Sequence, residues 1–356
     1  MKTHRLFHLS VAFAAACLWL LSALPPFAGT AQAQQELRVL VHNSFSLPKP
    51  LLAQFEAETG VKLSVIKAGD AGEMLNKMVL TRAQPIADLV YGLDNALAAK
   101  AQAANVLEPY LGAAAQRRTI VPLAALSDIV AVDYGYVTLN YDRAWFAKSG
   151  LALPKSLADL TLPAYKDLLV AQNPATSSPG YAFLLATVAG MGEEKAFEWW
   201  AAMRANGLKV TKGWSEAYYT EFSRNGGARP IVVSYASSPA AEVFYSKEKI
   251  TEPPTASLFL KGGVFRQVEG VALVRGGAQS AAQREAAGRF IEFLRSTPVQ
   301  QALQTSMWMF PVEPGVPRQE VMRHAPEPGA FDNPAPEVIA QKGADWVNRW
   351  IRVVLK

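Results

Sequence analysis

The sequence holds one cysteine, Cys17, in 356 residues. It lies in an apolar run near the N-terminus, so a chain processed beyond that run keeps neither a disulfide nor a thiol nucleophile. That fits an exported protein whose core is large enough to stand without covalent staples. Histidine is nearly as scarce, with four residues. His4 and His8 belong to the same N-terminal segment, which leaves His42 and His324, and two histidines without a cysteine argue against a zinc site. No Gly-x-Ser-x-Gly elbow and no His-Glu-x-x-His pair occurs, so the usual signatures of a secreted hydrolase are missing. Beyond residue 33 no uncharged apolar run is long enough for a membrane span. The charges are scattered, with no basic stripe interleaved with aromatics, so nucleic acid is not an expected partner. There is no internal repeat and no low-complexity tract.

What is present suits two domains of ordinary size and a large core. Half of the residues are hydrophobic, and part of that excess is N-terminal. Lys2, His4, Arg5 and His8 form a basic region, residues 11–24 are apolar, and Ala31-Gln32-Ala33 gives a small-x-small cleavage site. This has the form of a secretory signal peptide over residues 1–33, with Gln34 as the mature N-terminus and the periplasm as the destination. Cys17 follows Ala14-Ala15-Ala16 as a lipobox cysteine would, but a bulky aliphatic residue three positions before it is missing, so lipidation is not expected. Removing Lys2 and Arg5 with the segment lowers the formal charge from +5 to +3.

The mature chain reads as alternating strands and helices. Residues 36–42 form a strand. A helix follows over 48–59 with Leu51, Leu52 and Phe55 on one face and Gly60 as its stop. Residues 61–66 form a second strand, 68–72 a small-residue loop, and a helix with Met74, Leu75, Met78 and Val79 runs on until Pro85 breaks the pattern. Residues 87–92 are a third strand, and Leu93-Asp94-Asn95 opens another helix. This spacing predicts parallel βαβ units, whose ligands bind beyond the carboxyl ends of the strands. Residues 128–142 are too long for one ordinary strand and suit a segment crossing between domains, bent at Gly135. In the second unit Ser156 caps a short helix and 168–171 form a strand. The helix after Gly180 carries Tyr181, Leu184, Leu185 and Val188 on its apolar face. The helix over 193–206 turns Phe197 and Trp200 inward. Residues 264–274 carry the chain back to the first domain. A helix over 283–296, an aromatic loop over 305–312, a proline-rich connector over 311–336 and a terminal helix with Trp346 and Trp350 complete the chain.

The functional reading centres on Thr211-Lys212-Gly213-Trp214-Ser215-Glu216-Ala217-Tyr218-Tyr219. Trp214 sits at a turn after the β-like run 208–210, and Ser215 is placed to cap the helix that follows. A second β-like run, 231–235, ends in Tyr235-Ala236-Ser237-Ser238-Pro239. An aromatic side chain at each strand end, beside small hydroxyl residues, suits a flat cationic ring with a polar tail. Either aromatic taken alone reads better as core. Ser177 and Ser178 stand at another strand end, before a helix, where backbone N–H groups and the helix dipole favour an anion; simple N-capping accounts for them too.

These motifs occur in an order and spacing that resemble the type II periplasmic solute-binding proteins of ABC importers, and within them the thiamine-binding group. The resemblance rests on Asp70, Gly92-Leu93-Asp94-Asn95, Asp133-Tyr134-Gly135-Tyr136, Thr176 to Gly180, the run from Thr211 to Tyr218, Ser234 to Pro239, and Trp308-Met309-Phe310-Pro311-Val312. It implies an α/β fold of two lobes with the ligand cleft between them. Residues 34–137 are then the first part of lobe 1, 138–265 are lobe 2, 266–312 return to lobe 1, and 313–356 form a C-terminal connector and helix. The resemblance further implies contacts to thiamine, thiamine monophosphate or thiamine diphosphate from Asp70, Ala71, Ser177, Ser178, Trp214, Tyr235, Ala236, Ser237 and Ser238, with His42 and Trp308 lining the cleft. No cofactor or metal is implied. The partners would be a membrane permease and its ATPase, and the protein a monomer. Ala71 stands where the family has glycine, His42 where it has tyrosine, and Ala241 and Glu242 where it has bulkier aromatic or histidine residues.

Thiamine carries a permanent charge on its thiazolium ring, and each aromatic facing it contributes roughly 0.5–2 kcal/mol. Asp70 suits its exocyclic amine, although a loop-capping aspartate reads the same in sequence. Two rival solutes share the fold. Ferric ion would draw on Tyr218 and Tyr219, but helical register points them apart. Polyamines would need several cleft carboxylates, of which only Asp70 and Asp94 stand out. Thiamine-degrading enzymes of similar fold use a cysteine nucleophile, which the mature chain lacks, so no enzymatic activity is expected. N-terminal sequencing of the exported protein should begin at Gln34; an intact or lipidated N-terminus would overturn the leader assignment.

Overall fold

A computed structural model describes residues 35–121 and 128–356. The expected signal peptide, its Ala31-Gln32-Ala33 site and Cys17 lie outside the described residues. The first lobe is built from β1 (Glu36–Val41), α1 (Lys49–Thr59), β2 (Lys62–Lys67), α2 (Ala71–Leu80), β3 (Leu89–Asp94), α3 (Ala98–Ala103), the short β4 (Leu107–Glu108) and α4 (Ala113–Gln116). Strand β1 pairs parallel with both β2 and β3, as the βαβ spacing requires. Helix α2 begins inside the expected loop, because the Asp70 carboxylate accepts the Ala71 N–H and caps it. Leu93 and Asp94 open no helix. They end β3, and the Asp94 carboxylate takes the Ala96 and Leu97 N–H groups of the turn before α3.

The chain crosses over on β5 (Val130–Asp142), followed by α5 (Arg143–Ser149). The second lobe then adds β6 (Leu169–Gln172), α6 (Ser178–Met191), α7 (Glu193–Ala205), β7 (Lys209–Thr211), α8 (Trp214–Glu216), β8 (Ile231–Tyr235), α9 (Ser238–Phe244) and β9 (Thr255–Leu258). Strand β6 pairs parallel with β7 and β8, so this lobe repeats the βαβ logic of the first. Strand β10 (Phe265–Val274) returns the chain. Helices α10 (Ala281–Leu294) and α11 (Thr297–Ser306), strand β11 (Phe310–Pro311) and helix α12 (Pro336–Trp350) follow.

One sheet runs through both lobes in the order β2-β1-β3-β10-β5-β8-β6-β7. Its two parallel ends are joined by the antiparallel pair β10 and β5. Residues 130–137 of β5 face β10, and 137–141 face β8, which is why one strand reaches 13 residues. Gly135 is not the bend expected there. The register slips instead where Glu269 faces Asp133 and Gly270 faces Ala131. Gly135 leaves room for a neighbour, since a Cβ there would stand 2.9 Å from the Met309 Sδ.

Helix α6 departs from the one-sided pattern expected of it. Residues 178–188 are buried on every side, between the sheet and α7, as an apolar helix all round must be. On α7, Phe197, Trp199 and Trp200 point inward; Trp199 donates to the Leu157 carbonyl at 2.6 Å and Trp200 to Thr187 Oγ1 at 3.0 Å. Trp350 of α12 stacks edge-on against Trp200 with centroids 5.5 Å apart. The same helix packs against α3 of the first lobe. Ser156 bonds the Asp159 N–H while Asp159 returns a bond to the Ser156 N–H, a reciprocal cap on a short 3-10 turn. Ser215 does not cap. Gly213 precedes α8, and Ser215 lies inside it.

Asp94 sits at the junction of the lobes, fully buried, and also accepts a hydrogen bond from Gln267. Burial pushes its carboxyl up to about 7, against the pull of Gln267 and the Leu97 N–H. The native protein therefore holds this proton in a range where the unfolded chain has released it, and stability declines as pH rises through that range. Linkage puts the loss from this one group at about 3 kcal/mol between pH 5 and pH 8. Denaturant unfolding should show that decline, and Asp94→Asn, which cannot ionise, should flatten it. A slope unchanged in the variant would place the ionisation elsewhere.

Candidate ligand-binding cleft

The carboxyl ends of the parallel strands from both lobes converge on one cavity of about 840 Å³. In the first lobe, β1 runs into His42 and Asn43, and β2 into Gly69 and Asp70. These two ends are tied together, because the Asn43 N–H donates to the Gly69 carbonyl and the Gly69 N–H to Asn43 Oδ1. In the second lobe, β7 leads to Trp214, β6 to Ser178, and β8 to Tyr235, Ser237 and Ser238. Trp308 enters from the segment between α11 and β11.

Trp214 is held at both ends of its side of the cleft. Its backbone N–H donates to Asp70 Oδ2 at 3.0 Å, which joins the lobes, and its indole Nε1 donates to Ser234 Oγ at 2.8 Å. Ser234 in turn shares a hydrogen bond with Ser238 Oγ at 2.9 Å. The Tyr218 ring stacks on the indole at 4.9 Å, and Tyr235 stands edge-on at 6.5 Å. Tyr218 donates its hydroxyl to Glu242 Oε1 at 2.7 Å, and Arg224 bonds the other oxygen of that carboxylate at 3.1 Å. Burial and then Glu242 hold the Tyr218 hydroxyl well above its ordinary range. Helical register does not separate Tyr218 and Tyr219 as expected: their rings meet edge to face at 5.5 Å, and both pack against Trp214 at the cavity.

Of the residues singled out in the sequence, His42, Asp70, Ser178, Trp214, Tyr235, Ser237, Ser238 and Trp308 line the cavity. Ala71, Ser177 and Ala236 do not. They lie buried behind it, and their backbone N–H groups are already given to Asp70 Oδ1, the Asn173 carbonyl and the Tyr136 carbonyl. Ser177 occupies the N-cap position of α6 without making the side-chain cap bond, and its Oγ is buried with no partner among the described residues. Simple capping does not account for it. Asp94 is buried in the junction rather than in the cavity.

The sequence reading overlooked three cavity carboxylates: Glu248, Glu242 as a partner of Tyr218 and, above all, Glu269. Glu269 projects from β10 into the cavity floor and is 3% exposed. A lone acid inside the apolar run Val268-Glu269-Gly270-Val271-Ala272-Leu273 was the available signal. Also missed was the aromatic group at the mouth. Phe244 and Tyr245 from α9 and its C-cap meet Trp308 across the opening at 5.3 and 5.5 Å. Trp308 holds φ at +60°, a left-handed conformation that a bulky side chain adopts only where its surroundings impose it.

This arrangement can hold a flat cation carrying a polar tail. Aromatic faces and carboxylates line one region, and hydroxyls at the N-termini of α6 and α9 line another. The chain is similar to several known proteins along nearly its whole length. The thiamine-binding periplasmic protein of Salmonella typhimurium is 30% identical over 342 residues, covering 95% of this chain and 97% of its own. That of Brucella abortus is 30% identical over 345 residues, covering 93% and 96%. A solved periplasmic thiamin binding protein superposes with a TM-score of 0.77 at 28% identity, covering 91% of this chain and 98% of its own. The family model described as bacterial extracellular solute-binding protein matches residues 84–342. With two lobes, a shared sheet and a cavity at the facing strand ends, the chain belongs to the bacterial extracellular solute-binding proteins.

Proposed function

We propose that this chain is the periplasmic component of an ABC importer, that it binds thiamine between its lobes, and that it delivers the vitamin to a membrane permease driven by an ATPase. The observation that carries the reading is Trp214, fixed at the cavity wall by Asp70 of the opposite lobe and by Ser234, with Tyr235 beside it. A thiazolium ring placed against these aromatics gains cation–π energy, and the Asp70 carboxylate at the cavity wall supports an amine-bearing ring beside it. Relatives that carry thiamine in their names and match over nearly their whole length support the same ligand. Localisation in the periplasm follows from the leader-like segment over residues 1–33, and a monomer is in keeping with this role. The protein acts as a binder and not an enzyme: the mature sequence has no cysteine to attack the thiamine bridge carbon.

Thiamine monophosphate fits the same reading. Ser178 opens a helix of 14 residues at the cavity, and the Ser237 and Ser238 hydroxyls line it nearby, which supports an anionic tail there. The iron reading is disfavoured by Tyr218, whose hydroxyl proton is committed to Glu242.

Calorimetric titration of the mature protein, unfolded and refolded to strip carried ligand, should give submicromolar one-to-one binding of thiamine. Absence of heat from thiamine and both phosphate esters would overturn the assignment. Trp214→Ala should weaken thiamine about tenfold or more, a loss of about 1.4 kcal/mol. Ser178→Ala should cost the monophosphate more than thiamine, and equal losses would remove the phosphate from the α6 terminus.

A further inference from the structure

The floor of the cavity carries a charge that the protein itself only half balances. Glu269 is buried, and among the described residues no lysine or arginine pairs with it. Its basic neighbour is His42, whose Nε2 stands 3.8 Å from Glu269 Oε2, too far for a hydrogen bond, and finds no hydrogen-bond partner among the described residues. The imidazole is held in place. It lies against Tyr91, with ring centroids 6.0 Å apart, and a Cβ on Gly92 would strike it at 2.2 Å. Behind Glu269, Asp133 of β5 stands opposite it in the strand register and accepts the Tyr91 hydroxyl proton. The other charges facing His42 are Asp70 before α2 and Lys67 at the end of β2. Arg224, also at the cavity, is taken by Glu242, and Lys247 is exposed. A carboxylate withdrawn this far from water costs several kcal/mol unless a positive charge stands beside it.

We propose that Glu269 is the counter-charge for the cationic ring of the ligand, and that the arriving cation displaces the Nε2 proton of His42, which leaves to solvent. One positive charge enters as another departs, so the floor keeps its net charge. The inference rests on the thiamine reading and adds to it the residue that reads the charge and the proton that is exchanged.

The titration behaviour agrees with this geometry. Burial works against the His42 imidazolium, but Glu269 and Asp70 outweigh it and hold the ring above its ordinary 6.5. Burial, and then the Glu269 charge, push Asp133 well up. Because the complex favours neutral His42, affinity rises with pH through the raised value, by as much as about tenfold per unit.

The test is calorimetry on the refolded mature protein in two buffers of different ionisation enthalpy, at a series of pH values from about 6.5, the ordinary histidine value, upward. The ligands are thiamine and a neutral isostere in which carbon replaces the thiazolium nitrogen. Wild type should prefer thiamine by about tenfold or more and release up to about one proton at the lower pH. Glu269→Gln should lose both the preference and the release while still binding the isostere. His42→Asn should keep the preference and release no proton. A preference retained in Glu269→Gln overturns the proposal, as does thiamine binding without proton release in wild type. If Glu269→Gln loses the isostere as well, His42→Asn decides, and release that survives in it overturns the exchange. Failure of wild type to bind thiamine at all is a separate result and removes the ligand reading itself.

Discussion

The Asp70 carboxylate is the point on which the cleft depends. One oxygen accepts the Ala71 N–H and starts α2; the other accepts the Trp214 N–H from the opposite lobe. A single short side chain thus terminates a loop in one lobe and fixes the position of the principal aromatic in the other. Hydrogen bonds to a charged acceptor are among the stronger polar contacts in a protein, and this one is oriented by a helix N-terminus on its own side. Around it the lobes add further ties: the Glu73 N–H reaches the Thr176 carbonyl at 2.9 Å, and Lys212 meets the Glu73 carboxylate at 3.0 Å. The Lys212 pair is largely exposed and adds little energy, whereas the backbone bond sets a register between α2 and the loop before α6.

The two lobes solve the same problem differently. In the first, helices cover a sheet whose strand ends are polar and tied to one another through Asn43. In the second, α6 is sunk wholly in the core and α7 and α12 cover it, with Trp200 and Trp350 in edge contact. Helix α12 also reaches α3, so the end of the chain braces the first lobe as well as the second.

Much of this was legible in sequence because period and punctuation are local. The alternation of β1, α1, β2 and α2, the stop at Gly60 and the return on β10 all follow from side-chain pattern, and so does the length of β5, which has to serve two lobes. The misses have a common cause. Asp94 and Ser215 are good helix starters in isolation, yet a strand ladder claimed the first and Gly213 supplied the second turn without it. Gly135 read as a hinge because glycine permits bending, whereas the structure uses its missing side chain to admit Met309. Ser177 and Ser178 are indistinguishable in the sequence, but one faces the cavity and the other faces the core. Glu269 was hidden by its strand, because an apolar run draws the eye to its core face. Its partners His42 and Asp133 come from two other strands, and no local pattern could bring the three together.

The crossing strands have a mechanical meaning. With β5 and β10 hydrogen-bonded through the junction, the connection between the lobes is a two-stranded ribbon and not a pair of slack tethers. Any rotation of one lobe on the other must twist that ribbon, as a torsion bar is twisted. β11 is paired to the same ribbon, Phe310 opposite Tyr134, and it carries Trp308 two residues before it. The indole is therefore anchored, two residues away, to the ribbon that joins the lobes.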